Sequence, residues 1–360
     1  MINRECGVFK TTYEADMALY PLPLARGTAW TMVALLALFP LPFWLTGDEH
    51  AMSIVTGIAL AAIGAIGLNI LVGYTGQISL GHGGFMAVGA YTAAILSSRH
   101  DMPFWIGVPA GGVVAALAGA LFGIPSLRIK GLYLAVATLA AQLIIEWTIN
   151  HVPWIGGGTQ STIYVTNPTM LGFEFNNEFR RYYLVLPFLL LGYFGSMNLV
   201  RSRVGRAFIA VRDRDIAAEI IGVDVFRYKL LAFAVSSFYA GVAGALWTYY
   251  LRIANYEHFT LVASIEYLAM VIIGGLGSVL GAVLGAIFIK LLPIVLDLSV
   301  VGISEGVFGV PYGGVANFLA NFQLAVFGGL IVLFLALEPH GLAKLWGNIK
   351  TYFRLWPFSY

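Results

Sequence analysis

The sequence predicts an all-α, polytopic membrane protein with about ten transmembrane helices, some of them broken by glycine. Two observations carry that class. Of the 360 residues, 59% are hydrophobic and only 11% charged, at a mean hydropathy of +0.84, whereas soluble domains run about 45–50% apolar and about 25% charged. Apolar stretches of roughly the 20 residues that a spanning helix needs also recur from Gly27 to Leu337. The first observation excludes a water-soluble enzyme, because the chain lacks the polar residues to cover a soluble surface. The 42 glycines and eight tryptophans suit the same class, since glycine is frequent in membrane helices and tryptophan gathers at membrane interfaces.

In chain order, residues 1–26 mix Arg4, Glu5, Lys10, Glu14 and Asp16 with no apolar core, and read as a cytoplasmic leader, not a cleaved signal peptide. Residues 27–337 then form one transmembrane domain. Its candidate spans begin with Gly27–Leu45, Met52–Val72, Gln77–Leu96, Phe104–Ile124 and Leu132–His151. A mixed, glycine-containing loop at 152–181 separates these from Tyr182–Val200, and a charged loop at 201–229 precedes Leu230–Tyr250. Leu261–Leu276 and Val279–Leu296 are divided only by glycine and Ser278, so they read equally as one long element, a tight hairpin or two broken half-helices. Leu319–Leu337 is the tenth candidate, and residues 338–360 are a tail.

Basic residues orient this arrangement. With the amino terminus cytoplasmic, the inner segments carry 15 of the 20 Lys and Arg residues and the outer segments hold Arg99, Arg180, Arg181 and Arg252, with Lys290 inside an apolar run. That bias follows the positive-inside rule and makes loop 152–181 external, loop 201–229 internal and both termini cytoplasmic. Cys6 is the lone cysteine, which leaves no intramolecular disulfide and no cysteine-based metal site.

Two stretches are unsuited to lipid-facing helix. Gly67–Gly89 holds seven glycines in 23 residues, interleaved with Asn69, Gln77, Ser79 and His82. Each glycine weakens a helix by about 0.8–1.0 kcal/mol relative to alanine, and broken backbone at membrane depth is tolerated only where protein buries it or a watery cavity adjoins it. Transporters use such breaks near their substrates. Asn69, Gly73, Tyr74, Gly76, Gln77, Ser79, Gly81, His82 and Gly84 are therefore the candidate translocation path. The competing reading is that the glycines serve close helix packing and that His82 is a satisfied interior group. The second stretch, Met270–Ala286, places Gly274 and Gly277 at the spacing of Gly73 and Gly76, as a repeat or by chance. Gly277, Gly281 and Gly285 form a small-residue ridge expected to serve helix packing.

The internal loop reads RSRVGRAFIAVRDRDIAAEIIGVDVFRYK from Arg201 to Lys229. It is helix-prone around Ile216–Ile221, with Ile216, Ile220 and Val223 on one helical face and Asp215 and Glu219 on another. Such a helix lies at the inner membrane surface and packs on its own bundle, fills a groove in a cytoplasmic partner, or anchors on anionic lipid through its arginines.

Four blocks carry a family resemblance: GLNILVGYTGQISLGHGGFMAVGAYTAAIL, RIKGLYLAVATLAAQLIIEW, GRAFIAVRDRDIAAEIIGVDVFRYKLLAFAVSSFYAGVAGALW and MVIIGGLGSVLGAVLGA. In this order, from Gly67 to Gly341, they closely resemble the inner-membrane permease subunits of the branched-chain amino acid class of ATP-binding-cassette importers, most of all the longer, M-type subunit. The resemblance implies a heterodimer with a homologous permease subunit, two cytoplasmic ATPase subunits, a periplasmic substrate-binding protein, and a membrane-embedded chain with no nucleic-acid partner. Relatives in that class also import urea, short amides and aromatic acids. Importers of this general kind dock a cytoplasmic E-A-A-x-x-x-G loop into their ATPase. Here Ala217, Ala218 and Gly222 match that pattern, while Ile216 stands in place of the glutamate. The resemblance implies that Arg212, Asp213, Asp215, Ala217, Ala218, Glu219 and Gly222 lie at or beside the ATPase interface.

The motif inventory agrees with a divided labour. There is no G-x-x-x-x-G-K-[ST] phosphate loop, so no cofactor of its own is expected and ATP belongs to partner subunits. No H-E-x-x-H, G-x-S-x-G or Cys/His cluster occurs, so no catalytic residues and no metal ligands are expected. Gln142, Glu146 and Asn150 recur every four residues along one face of the fifth candidate span, which should turn toward protein or water. Glu266, Lys290 and Asp297 sit near predicted helix ends, where long side chains snorkel. An ion-coupled secondary transporter is the alternative from another class, disfavoured by the large internal loop and the lack of a central acidic cluster.

Overall fold

The computed structural model describes residues 23–126, 131–157, 161–170, 173–308 and 341–355, with positions 322, 325, 326, 328, 329, 332 and 333. Most of the leader and most of the tenth candidate span, Leu319–Leu337, lie outside the described residues. The described part is helical, and seven of its helices are long and apolar enough to cross a membrane.

The first candidate span is divided. α1 (Pro23–Leu38) and α2 (Pro40–Thr46) break at Phe39, because Pro40 and Pro42 have no amide hydrogens to continue a helical ladder. α3 (Glu49–Thr75) is the central post. Asp48 starts it by accepting from the Ala51 N–H at 3.0 Å. From Ala59 to Thr75 every residue is buried, as expected of a helix apolar all round. α3 stops at Gly76, whose φ of 70° is the left-handed conformation glycine adopts without penalty.

α4 (His82–His100), α5 (Phe104–Ser126) and α6 (Leu132–His151) follow. A short turn α7 (Pro153–Gly156) leads into the loop predicted external, which contains β1 (Thr162–Tyr164), β2 (Thr169–Met170) and β3 (Phe173–Glu174). α8 (Glu178–Arg201) is the next long helix. The loop predicted internal contains two helices, not one: α9 (Arg203–Asp213) precedes α10 (Asp215–Ile220). α11 (Val225–Leu251) runs back through the bundle to β4 (Ile253–Asn255). β4 pairs antiparallel with β1, and β2 with β3, so small sheets occur in a fold predicted to be wholly helical.

α11 packs tightly on α4 and α5 because facing positions are small. A methyl group added at Gly241 would sit 2.6 Å from the Gly111 carbonyl, and one at Gly244 would meet the Met86 backbone, so the backbones approach as side chains would forbid.

α12 (Leu261–Gly274) and α13 (Val279–Phe308) settle the ambiguity at 261–296 as a tight antiparallel hairpin. Methyl groups at Gly281 and Gly285 would meet the Gly274 backbone, and Lys290 pairs with Glu266 at 2.7 Å. That ion pair replaces the separate snorkelling expected of the two residues. The packing ridge is shorter than its spacing suggested. Gly277 precedes α13 in a turn with φ of 78°, outside right-handed helical space, and only Gly281 and Gly285 lie on the helix. The amphipathic α14 (Gly341–Leu355) begins against this turn, with Gly341 beside Gly275.

Candidate functional site

Past Gly76 the chain does not resume a helix at once. Gln77–Gly81 is non-helical, and α4 starts at His82, packed against the middle of α3. The His82 and Tyr267 rings lie 5.2 Å apart, and Tyr267 in turn lies against Gly64. Gly64 is eleven residues before the end of α3, or about 16 Å along its axis. The break therefore doubles back into the protein, and α4 begins in the interior. Gln77, Ser79 and His82 are all buried.

A helix that starts inside a membrane protein exposes N–H groups that lipid cannot satisfy. Here α6 and α12 supply the acceptors. Ser264 Oγ accepts from the Gly83 N–H at 2.8 Å and Gln142 Oε1 from the Gly84 N–H at 3.2 Å. Thr138 Oγ1 accepts from the Leu80 N–H at 2.9 Å. Gln142 is the hub: its Oε1 also accepts from the Ser264 hydroxyl at 2.7 Å, and its Nε2 donates to Glu146 Oε1 and to the Phe259 carbonyl, both at 2.9 Å. Gly81 and Gly84 are required by close approach, since added methyl groups would lie 2.5 Å from the Thr138 carbonyl and 3.1 Å from the Gln142 Cα. Two buried polar atoms, His82 Nε2 and Gln77 Oε1, have no hydrogen-bond partner among the described residues. The arrangement is a polar joint in an apolar bundle, where a helix N-terminus meets an amide and a hydroxyl while the His82 imidazole packs on Tyr267.

The lower end of the break meets the second glycine turn. Asn69, wholly buried, donates through Nδ2 to the Ser278 carbonyl at 2.8 Å and accepts the Gly277 N–H at 3.0 Å. Gly73 lies against the Gly277 backbone. Gly76 and Gly277, matched by spacing in the sequence, share the left-handed conformation, with φ of 70° and 78°.

Arg212 reaches this junction from α9. Its Nη1 donates to the Gly73 carbonyl at 3.0 Å and lies against Gly277, while its Nε donates to Asp213 at 3.0 Å. The Gly73 carbonyl belongs to the last turn of α3, where such groups lack intrahelical partners and a cation is favoured. Gly73, Gly277 and Arg212 were expected in the translocation path, a packing ridge and an ATPase interface respectively. The structure brings all three into one contact.

Much of the rest of loop 201–229 is exposed. Ile216, Ile220 and Ile221 are 68%, 81% and 75% exposed. Ala217 and Glu219 are also exposed, but Ala218 is buried and holds α10 to its own chain. Asp215 pairs with Lys229 at 3.5 Å. Val223, placed by spacing on the apolar face of α10, lies beyond the end of that helix. Gly222, with φ of 89°, ends α10 by donating to the Glu219 carbonyl at 3.0 Å, and the Val223 N–H donates to Ala218 at 3.0 Å. Those paired bonds are the Schellman arrangement that a left-handed glycine permits.

Thr138 and Ser264 were not singled out from the sequence. Thr138 lies four residues before Gln142, on the stripe that continues to Glu146 and Asn150, and that spacing was its signal. Asn150 itself is exposed. Ser264 gives no comparable sign. Among the described residues no cluster of potential metal ligands occurs.

Residues 51–335 match the family model described as branched-chain amino acid transport system / permease component. The chain is 32% identical over 338 residues to the high-affinity branched-chain amino acid transport system permease protein LivM of Escherichia coli, covering 87% of this chain and 74% of that one. It is 31% identical over 327 residues to the Salmonella typhimurium LivM, at 84% and 72% coverage. A probable branched-chain amino acid transport permease protein LivH of Methanocaldococcus jannaschii is 27% identical over 304 residues, covering 79% of this chain and 89% of the relative. No solved structure matches the chain.

Proposed function

This chain belongs to the branched-chain amino acid transport system permease family, and from that premise we propose that it is the M-type permease of an ATP-binding-cassette importer carrying a branched-chain amino acid across the inner membrane. It works as a heterodimer with a LivH-like permease. Two cytoplasmic ATPases supply the energy, a periplasmic binding protein delivers the substrate, and the chain itself holds neither ATP nor metal. It makes ten crossings, with both termini and loop 201–229 in the cytoplasm and loop 152–181 outside.

One observation carries the mechanism: the segment that carries Arg212 also carries the exposed isoleucines of α10. Three large apolar side chains on a water-facing helix suit a groove in a protein partner. When the ATPases close on ATP, α10 moves with them, and Arg212 passes that displacement to the ends of α3 and α12. The polar joint at the start of α4, held by hydrogen bonds through Gln142, is where the interior rearranges. The Asn69, Gln77, Ser79 and His82 side chains, with the glycine backbone, give a weakly polar path for a small zwitterion.

Co-purification from cells expressing the whole importer tests the docking. Ile220→Asp should leave the permease inserted and reduce recovery of the ATPases at least about tenfold, the loss a buried apolar contact can cause. Undiminished ATPase recovery would place their docking site elsewhere.

A further inference from the structure

At the end of the bundle opposite α9 and α10, the C-termini of α4 and α11 converge on the N-terminus of α5 and the β2–β3 hairpin around a cavity of about 660 Å³. Small-molecule sites occupy about 300–1,000 Å³. Asp101, Glu174 and Arg252 line it, with Asn167 on one side and buried Phe104 and Tyr249 beneath. Both signs of charge therefore face one space. Among the described residues neither Asp101 nor Arg252 is ion-paired. The Asn167 amide oxygen accepts from Arg252 Nη1 at 3.3 Å and helps to orient the guanidinium, which retains further donors for a ligand.

The backbone adds a second observation. Asp101 and Arg252 cap α4 and α11 in the left-handed conformation, with φ of 48° and 61°. They are two of three described non-glycine residues with positive φ. Glycine would hold these turns with less strain, and strain of this kind collects at functional sites. The helix ends also present carbonyl groups that favour a cation, strengthening the two carboxylates.

We infer that this cavity is an external subsite for an α-amino acid zwitterion, with Arg252 taking the carboxylate, Asp101 and Glu174 the ammonium, and the Phe104–Tyr249 floor an apolar side chain. It rests on the reading of the chain as an amino acid importer permease, and it gives the permease its own checkpoint for substrate released outside.

The full-length chain in lipid nanodiscs, titrated with leucine and followed by saturation-transfer NMR, tests the site. Leucine should bind saturably. 4-Methylpentanoate, which lacks the ammonium, and 3-methylbutylamine, which lacks the carboxylate, should each bind at least about tenfold more weakly. Arg252→Gly relieves the backbone while removing the guanidinium, so it should keep the melting temperature and bind leucine no better than 3-methylbutylamine. Asp101→Asn, which suits the same backbone, should erase the preference for leucine over 4-methylpentanoate. Absence of saturable leucine binding, or equal leucine affinity in wild type and Arg252→Gly, overturns the subsite. Failure of the assembled wild-type importer to take up leucine overturns the underlying reading instead, so the two failures are distinct.

Discussion

Arg212 touches the last turn of α3 and the glycine turn before α13 at once. A hydrogen bond from a charged donor is worth about 1.5–3 kcal/mol net, and the arginine's partial exposure brings this one toward the low end. Arg212→Gln should therefore fold, insert and still recruit the ATPases, while ATP hydrolysis no longer drives uptake at the wild-type rate. Uptake per ATP unchanged from wild type would remove the residue from the coupling path. The contact could not be read from the sequence, because Arg212 and Gly73 are 139 positions apart and nothing local links them. Gly277 shows the opposite limit. Its spacing with Gly281 and Gly285 is real, but spacing does not reveal a positive φ, and the conformation assigns Gly277 to the turn.

At the scale of elements, α10 is a knob held at its middle and its C-terminal end: Ala218 is buried against its own chain, and Gly222 closes the helix. A methyl group at Gly222 would meet nothing within 4 Å, so substitution there costs backbone strain alone, about 1–2 kcal/mol. Gly222→Leu should lower the melting temperature slightly and weaken ATPase docking by reorienting the isoleucines, as measured by ATPase co-purification. A variant that docks normally would show that the knob does not depend on its cap. The sequence disclosed α10 through its apolar spacing but not α9. Val204, Ala207, Phe208 and Val211 follow the same helical spacing, diluted by the surrounding arginines. Phe208 is wholly buried, which is what holds α9 beneath the bundle. The breaks at Gly76 and Gly277 were foreseeable as breaks, since glycine density is a local property. That the first doubles back into the interior was not, because the acceptors making it tolerable lie on α6 and α12.

For the whole molecule, composition alone identified a lipid-embedded bundle, and charge asymmetry proposed its orientation. The short sheets escaped prediction, because strands of two or three residues leave too little alternation to read, and β1 finds its partner β4 about 90 residues away. On the proposed function the molecule is a lever between two ends. Isoleucines stand exposed at one, a charged cavity opens at the other, and the two glycine breaks meet between them. Uptake of radiolabelled leucine into proteoliposomes holding this chain, its partner permease, both ATPases and the binding protein tests that account most directly. Accumulation should require ATP and every one of those components, and should be indifferent to proton and sodium gradients. Accumulation that persists without the ATPases, or follows an ion gradient, would contradict it.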